Sequence, residues 1–223
     1  MYISTDAIIL KNIPYKESSV ISRLFTYDHG KISVIFKGAK KSKNNISAII
    51  EPANIIHITY YNGKSNLKNV KEVNLKTTFP NTRKFLDNYY YMMAIVALLD
   101  KVCEENHKEE SLFILLITIF NNINNQDARV DIIFLYFLFQ FNKTLGLQVD
   151  LLTIDNSIHN YIKILNQNNQ DISKIEEFLI NNIDLLKNIK MIIYKHMKDC
   201  LIDLNDIHAI KILRNYGIPS RSN

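Results

Sequence analysis

The sequence predicts an α+β fold in which a small N-terminal β-barrel is followed by an all-helical C-terminal domain. The first 80 residues contain short β-branched and aromatic runs separated by turn residues, a pattern typical of short strands. After Pro80 the apolar residues recur at a helical period, and glycine and proline almost disappear until the C-terminus. A chain of 223 residues is long enough for two domains. We therefore predict one domain over residues 1–79 and a second over residues 80–223.

Five strands are predicted in the N-terminal part, over residues 7–10, 20–26, 31–37, 55–61 and 67–75. We expect Asp28-His29-Gly30 to close one hairpin and Asn62-Gly63 another, because these residues tolerate the positive φ that tight hairpin turns require. Five short strands of this kind suit a small Greek-key barrel.

Seven helices are predicted in the C-terminal part, over residues 83–104, 111–122, 128–144, 158–166, 172–188, 189–201 and 207–216. Gly146 is placed to end the third of them. That helix is apolar nearly all round, which favours a central core helix over a hydrophobic groove for a partner.

Positive charge is concentrated in the first third of the chain. Residues 1–80 hold 12 Lys and Arg against 5 Asp and Glu, a net charge of +7; the remaining residues hold 15 against 17, a net charge of −2. Clustered lysines attract polyanions and release counterions from phosphates. This part of the chain is therefore expected to bind a polyanion.

Four lysines lie within seven residues directly after the third predicted strand: Lys37, Lys40, Lys41 and Lys43. The glycine at position 38 makes the segment a loop, so we expect these side chains to reach phosphates. A charged loop that is merely solvated is the alternative interpretation. Further phosphate contacts are expected from basic residues of the same domain, namely Arg23, Lys11 and Lys16.

Aromatic residues are interspersed among these lysines and arginines, and barrels that bind single-stranded nucleic acids use exposed aromatic rings as stacking platforms. Strand alternation places Phe36 in the core. Tyr27, Tyr60 and Tyr61 lie near strand ends, where core or rim packing is favoured over stacking.

The sequence offers nothing for catalysis or for a cofactor. Its two cysteines lie far apart, its six histidines have no metal-ligand spacing, and it contains no phosphate-binding glycine loop or nucleophile elbow. We expect no enzyme activity, no cofactor and no metal. No signal peptide and no apolar run of about 18 residues is present, so we also expect no membrane contact and a cytoplasmic location, associated with the nucleoid if the polyanion is DNA.

Several segments resemble the bacterial RecO family in order and spacing. They are Thr5-Asp6-Ala7-Ile8-Ile9-Leu10-Lys11, Tyr15-Lys16-Glu17-Ser18, Leu24-Phe25-Thr26 with His29-Gly30-Lys31, and Lys37-Gly38-Ala39-Lys40-Lys41-Ser42-Lys43. Further matches are Glu51-Pro52, Phe79-Pro80-Asn81 and Lys143-Thr144-Leu145-Gly146-Leu147. The resemblance implies an OB-fold DNA-binding domain and annealing of complementary single strands. It also implies work with RecR and with single-stranded DNA-binding protein to load RecA during gap and break repair.

The chain departs from this family in two places. Many members carry zinc-binding cysteines after the segment that resembles Leu145-Gly146-Leu147, whereas residues 148–155 contain none, so zinc should be absent. Tyr136 and Leu138 replace charged residues of the family's partner-docking helix. Arg129 and Lys143 are the remaining candidates for contact with the single-strand-binding protein.

Two other functions remain open on the sequence alone. The first is an interaction scaffold whose basic barrel binds an acidic protein; excess single-stranded DNA would displace that partner if both use the lysine loop. The second is a phosphoryl-transfer enzyme, but the acids near the basic segment, Asp6, Glu17 and Asp28, have no spacing that indicates a metal pair.

Overall fold

The computed structural model describes residues 1–41, 45–125, 129–150, 156–166, 172, 177, 179 and 183–215. Its strands are β1 (Tyr2–Tyr15), β2 (Ser19–Thr26), β3 (Gly30–Phe36), β4 (Ile55–Tyr61) and β5 (Leu67–Thr77). Its α-helices are α1 (Ile46–Ile49), α2 (Leu86–Val102), α3 (Glu110–Ile123), α4 (Val130–Thr144), α5 (Asn156–Leu165), α6 (Ile183–Cys200) and α7 (His208–Asn215). Two 3₁₀ turns cover Pro80–Lys84 and Leu204–Asp206. The predicted α+β fold is confirmed.

The five strands close into a barrel in the order β1-β2-β3-β5-β4. Strand β1 pairs with both β2 and β4, and these pairings are antiparallel. The closing pair, β3 with β5, is parallel, with Ser33 opposite Leu67. A five-stranded Greek-key barrel of this kind is the OB-fold.

The barrel interior is filled by alternate residues of each strand. Ile9, Leu24, Val34 and Ile58 are fully buried there and belong to one core cluster. Phe36 is 2% exposed in the same cluster, which confirms its predicted core position. Burying each such side chain contributes about 1.5–3 kcal/mol, so alternation fixes which face of every strand points inward.

Strand β1 is much longer than predicted. It starts at Tyr2 and ends at Tyr15, whereas the prediction covered residues 7–10 only. Its register shifts between Ile9 and Lys11, an irregularity of the β-bulge type. A bulge bends a strand and interrupts the alternation of inward and outward side chains. One bent strand can therefore pair with both β2 and β4, although its sequence does not alternate regularly.

Both predicted hairpins form, but only one uses the expected backbone. Gly30, the first residue of β3, has φ 63°, as predicted for this hairpin. Gly63, in the second hairpin, does not adopt the left-handed conformation with positive φ. Five residues separate β4 from β5, and a loop of that length does not require the left-handed conformation of a two-residue turn.

The predicted break between residues 188 and 189 is wrong. A single helix, α6, runs through both positions. Ile189 and Ile193 are one helical turn apart and fully buried, so burial of this stripe continues across the expected junction. Part of the predicted helix over 172–188, namely residues 173–176, 178 and 180–182, lies outside the described residues.

The described residues form two compact units. The first contains Met1–Pro80 with Met92–Phe113, and the second contains Asn81–Tyr91 with the described residues of Ile114–Asn223. In the first unit Phe25, on the outside of the barrel, stacks on Phe113 with ring centroids 6.3 Å apart. Independent folding of two domains, with a boundary between residues 79 and 80, stays a prediction.

In the second unit α4 is buried on all sides, as its composition predicted. Every residue from Val130 to Asn142 is buried, and the rings of Phe137 and Phe141 stack at 5.5 Å. Gly146 ends the helix at φ 72°, and the Leu147 N–H donates to the carbonyl of Asn142 at 2.8 Å. This confirms the predicted glycine cap. None of the helices described is both long enough and apolar enough to cross a membrane.

Candidate nucleic-acid interface

The lysine loop, Lys37 to Lys43, begins immediately after β3. Lys37, Lys40 and Lys41 are exposed, whereas Ala39 between them is fully buried in the barrel core. Gly38 turns the chain at φ 71°, and the Lys41 N–H donates to its carbonyl at 3.1 Å. A buried alanine thus fixes the described part of a loop whose lysines face solvent. Lys43 lies outside the described residues.

Lys40 joins this loop to the turn between β1 and β2. Its backbone N–H donates to the Ser18 carbonyl and its Nζ to the Lys16 carbonyl, both at 3.0 Å. Lys16 has φ 49°, which turns the chain back toward β2, and its Nζ lies 5.4 Å from the ring centroid of Tyr15. The structure therefore brings the predicted residues Lys16, Lys37, Lys40 and Lys41 to one end of the barrel.

The two other predicted helpers lie further along the barrel. Lys11 is exposed and opposite Arg23 in the β1–β2 register. Arg23 has a partner of its own, because its Nε lies 2.7 Å from Oδ1 of Asp100, with side-chain exposures of 29% and 10%. The carboxylate offsets much of the Arg23 charge. A role for Arg23 in phosphate contact stays a prediction, and it is a weaker candidate than the exposed lysines.

A carboxylate that contacts a lysine and a histidine lies elsewhere on the outer barrel face. Asp6 Oδ1 lies 2.7 Å from Nδ1 of His57, and its Oδ2 lies 2.6 Å from Nζ of Lys76. Burial acts to raise the pKa of Asp6, but the hydrogen bonds from Lys76 and His57 outweigh it and hold the pKa below its usual range. His57 thus has a structural partner on the barrel.

The three tyrosines considered from the sequence have different environments. Tyr60 is 2% exposed in the core, and Tyr27 is half-buried with its ring edge-on to Phe113 at 5.6 Å. Packing was therefore the correct interpretation for these two. Tyr61 is 49% exposed and its ring is edge-on to Tyr2, so it is not a core residue, and the choice between rim packing and base stacking stays a prediction. Beside it lies Tyr2, 56% exposed, which the sequence reasoning did not consider because it began the first strand at residue 7.

The weak partner-binding candidates in the second unit both make internal contacts. Arg129 donates to Asp131 through Nε at 3.1 Å and through a terminal nitrogen at 3.2 Å. Lys143 Nζ donates to the carbonyl of Asn166 at 2.9 Å. These contacts do not test contact with another protein, which stays a prediction for both residues.

Asp131 is the centre of a buried charge cluster. Besides Arg129 it contacts Nζ of Lys190 at 3.0 Å, and its side chain is 6% exposed. Burial acts to raise its pKa, yet the hydrogen bond from Arg129 and the charge of Lys190 lower the pKa below its usual range. The carboxylate therefore stays ionised at neutral pH.

Neither cysteine forms a disulfide. Both are free, and burial raises the pKa of the Cys103 thiol to about 12, so it is protonated at neutral pH. In the part of the chain that the structure describes, no group of three His, Cys, Asp or Glu side chains could hold a metal ion. The absence of zinc stays a prediction.

Two family models match the chain. The N-terminal model of recombination protein O matches residues 1–79, and the C-terminal model of the same protein matches residues 83–152.

Curated relatives carry the name DNA repair protein RecO. The one from Salinibacter ruber is 30% identical over 145 residues, which is 65% of this chain and 56% of that protein. The one from Chlorobium limicola is 27% identical over 153 residues, 68% of this chain and 58% of that protein. The one from Shouchella clausii is 32% identical over 126 residues, 56% of this chain and 49% of that protein. The chain thus spans about half of the length of the curated relatives it matches.

Proposed function

Because the chain belongs to the RecO family of DNA repair proteins, we propose that it anneals complementary single strands of DNA. With RecR, it helps load RecA onto DNA coated by single-stranded DNA-binding protein during gap and break repair. It acts as a binding protein and not as an enzyme.

One observation carries this proposal: the described part of the lysine loop is a built surface rather than a loose tail. Ala39 anchors it in the core, and Lys40 ties it to the β1–β2 turn through two hydrogen bonds. Lys37 and Lys41 remain exposed, and no ion pair engages them within the described residues. Loops at the end of an OB barrel are a common place for oligonucleotides to bind.

Lysine ammonium groups contact phosphates without reading bases. They neutralise one backbone and so lower its repulsion of a second, which favours the meeting of complementary strands. Because each neutralised phosphate releases counterions, affinity should depend strongly on salt and little on sequence.

Protein partners require a surface distinct from the lysine loop, since that loop is occupied by DNA. A cavity of about 430 Å³ in the second unit is lined by Lys190, Met191, Tyr194 and Arg214. Lys190 already contacts Asp131, so Arg214 is the cationic group that the cavity can offer to an acidic peptide with an apolar end. This cavity and the candidates Arg129 and Lys143 are where we expect partner contact.

The test is charge reversal in the loop. Lys40→Glu with Lys41→Glu removes two phosphate contacts, so affinity for single-stranded DNA should fall equally for all sequences. The slope of log affinity against log salt should become less negative by about 1.4, twice the single-strand coefficient of about 0.7. Fluorescence anisotropy of labelled oligonucleotides across a salt series measures both quantities.

The matched control reverses two exposed lysines in the second unit, Lys195→Glu with Lys211→Glu, which changes the net charge by the same amount. If the loop is the site, the affinity of the control for single-stranded DNA should lie within about twofold of that of the unchanged protein, because binding then depends on the loop lysines and not on net charge alone. Equal affinity of the loop variant and the unchanged protein removes the loop from the site.

A further inference from the structure

We propose that Tyr2 and Tyr61 form a stacking platform for unpaired bases of single-stranded DNA, with Lys71 beside it to meet the phosphates. This inference rests on the proposed function, because it names a second contact surface for the same ligand.

The two rings lie together on the outer face of the barrel. Tyr2 of β1 is opposite Tyr61 of β4 in the strand register, and their ring centroids lie 5.7 Å apart at an interplanar angle of 68°. About half of each side chain is exposed. Adjacent exposed rings on a rigid sheet are the arrangement on which bases of a single strand stack.

The Tyr61 ring is held in position by the β4–β5 loop. A Cβ atom at Gly63 would lie 2.9 Å from Cε1 of Tyr61, so the glycine backbone packs directly against the ring edge. Lys68 Nζ donates to the Gly63 carbonyl at 2.9 Å and fixes the loop there. A ring fixed in advance loses little side-chain entropy when a base stacks on it.

Positive charge surrounds the rings. Nζ of Lys71 lies 5.1 Å from the ring centroid of Tyr2. Lys68 contacts the β4–β5 loop through the Gly63 carbonyl, and Lys64 is exposed in the same loop. Glu72 Oε1 lies 3.5 Å from Nζ of Lys71, but both side chains are more than half exposed, so this ion pair is weak. Planar groups carrying phosphates fit this combination of rings and ammonium groups.

The platform lies on the open side of the barrel. In β5, which borders Tyr61, every residue from Leu67 to Thr77 is exposed or half-buried. By contrast, Phe25 on the outer face of β2 is fully buried against Phe113. A strand of DNA can therefore reach the β4–β5 side directly.

Strand register connects the platform with the lysine loop. Ile35 pairs with Asn69, and Asn69 pairs with Tyr61. Neighbouring strands are about 4.8 Å apart, which places Tyr61 roughly 10 Å around the barrel from Ile35. Since Lys37 follows Ile35 by two residues, one single strand can contact the lysine loop and the tyrosines in succession.

The first test uses the absence of tryptophan from the chain. In the variant Tyr61→Trp the new indole is the only one, and stacking of a base on it quenches its fluorescence when oligodeoxythymidylate is added. The matched control is Tyr89→Trp, because Tyr89 is 40% exposed and forms a similar edge-on pair with Tyr90 at 5.6 Å in the second unit. We expect quenching in the Tyr61 variant and none in the Tyr89 variant.

The second test measures affinity with Tyr61→Ala and Tyr61→Phe. Loss of the ring should weaken binding about five- to 150-fold, equivalent to roughly 1–3 kcal/mol for one stacked base. The phenylalanine variant should bind as the unchanged protein does. The salt slope should not change, since no charge is removed. On an abasic oligonucleotide the alanine variant and the unchanged protein should bind equally, because no base is present to stack.

The outcomes separate this proposal from the function on which it rests. If Tyr61→Ala binds as tightly as the unchanged protein while the Lys40 and Lys41 reversal weakens binding, the platform is overturned and the lysine loop stands. An equal loss on the abasic oligonucleotide also overturns the platform. Failure of the unchanged protein to bind single-stranded DNA overturns both.

Discussion

Replacing Asp131 with asparagine tests the buried charge cluster of the second unit. The substitution keeps the shape of the side chain and removes only its charge. The carboxylate is 6% exposed and accepts hydrogen bonds from Arg129 and Lys190. After the change, two cationic groups lose the anion that compensates them.

The expected loss of stability follows from how deeply the carboxylate and its two cationic partners are buried. Removing one partner from a fully buried ion pair costs about 3–5 kcal/mol, because a buried charge is left uncompensated. The side chains of Arg129 and Lys190 are 23% and 33% exposed, so both can regain water. We therefore expect Asp131→Asn to lower the free energy of unfolding by about 2 kcal/mol at pH 7, a fall in Tm of roughly 4–8 °C.

The cost should depend on pH in a defined direction. The folded-state pKa of Asp131 is lowered, so its contribution to stability is present above the unfolded pKa of about 3.9 and is lost as pH falls through the folded value. Urea unfolding followed by far-ultraviolet circular dichroism, at pH 7 and at steps below pH 4, measures the difference between the two proteins. That difference should shrink at the acidic end.

Asp184→Asn is the matched control, because its side chain is 91% exposed and its partner Lys187 lies 3.5 Å away. It should change stability by no more than about 0.5 kcal/mol. If Asp131→Asn lowers stability as little as this control at pH 7, or by the same amount at acidic pH, then the Asp131 charge does not stabilise the cluster.

Further predictions concern the barrel. Gly30→Ala places a Cβ 1.9 Å from the carbonyl oxygen of His107 at φ 63°, and should cost at least about 3 kcal/mol in urea unfolding. Gly146→Ala has a similar φ of 72° but nothing within 4 Å, and should cost only about 1–2 kcal/mol; equal costs would contradict the close contact at Gly30. Asp6→Asn removes the acceptor of Lys76, whose side chain is 49% exposed, and should cost less than about 1 kcal/mol. That cost should fade below about pH 4, because the pKa of Asp6 is lowered; thermal unfolding at pH 7 and pH 3.5 checks it.

Features set by local sequence were predictable. The lysine loop follows a strand and contains Gly38, so its position and exposure could be read from neighbouring residues. Phe36 could be assigned to the core by alternation alone, and Gly146 could be assigned as a helix cap. In each case the sequence signal, strand alternation or a glycine, lies within a few residues of the feature predicted.

Features set by long-range pairing were not predictable. Arg23 and Lys31 both counted toward the excess charge of the first 80 residues, yet both contact Asp100. Arg23 pairs with its carboxylate, and Lys31 donates a hydrogen bond to its backbone carbonyl. Tyr2 and Tyr61 are neighbours only because a bulged β1 extends to the start of the chain and pairs with β4. Neither relation leaves a signal in local composition or period.

The most direct test of the central claim is binding of labelled single-stranded DNA by the unchanged protein across a salt series, with annealing of a complementary strand followed in the same samples. If about six lysines meet phosphates, log affinity should fall with log salt at a slope of about −4, and annealing should be faster than without protein. A flat salt response without annealing would contradict the account. In that case the basic barrel serves a protein partner, and membership of the family describes the fold but not the activity.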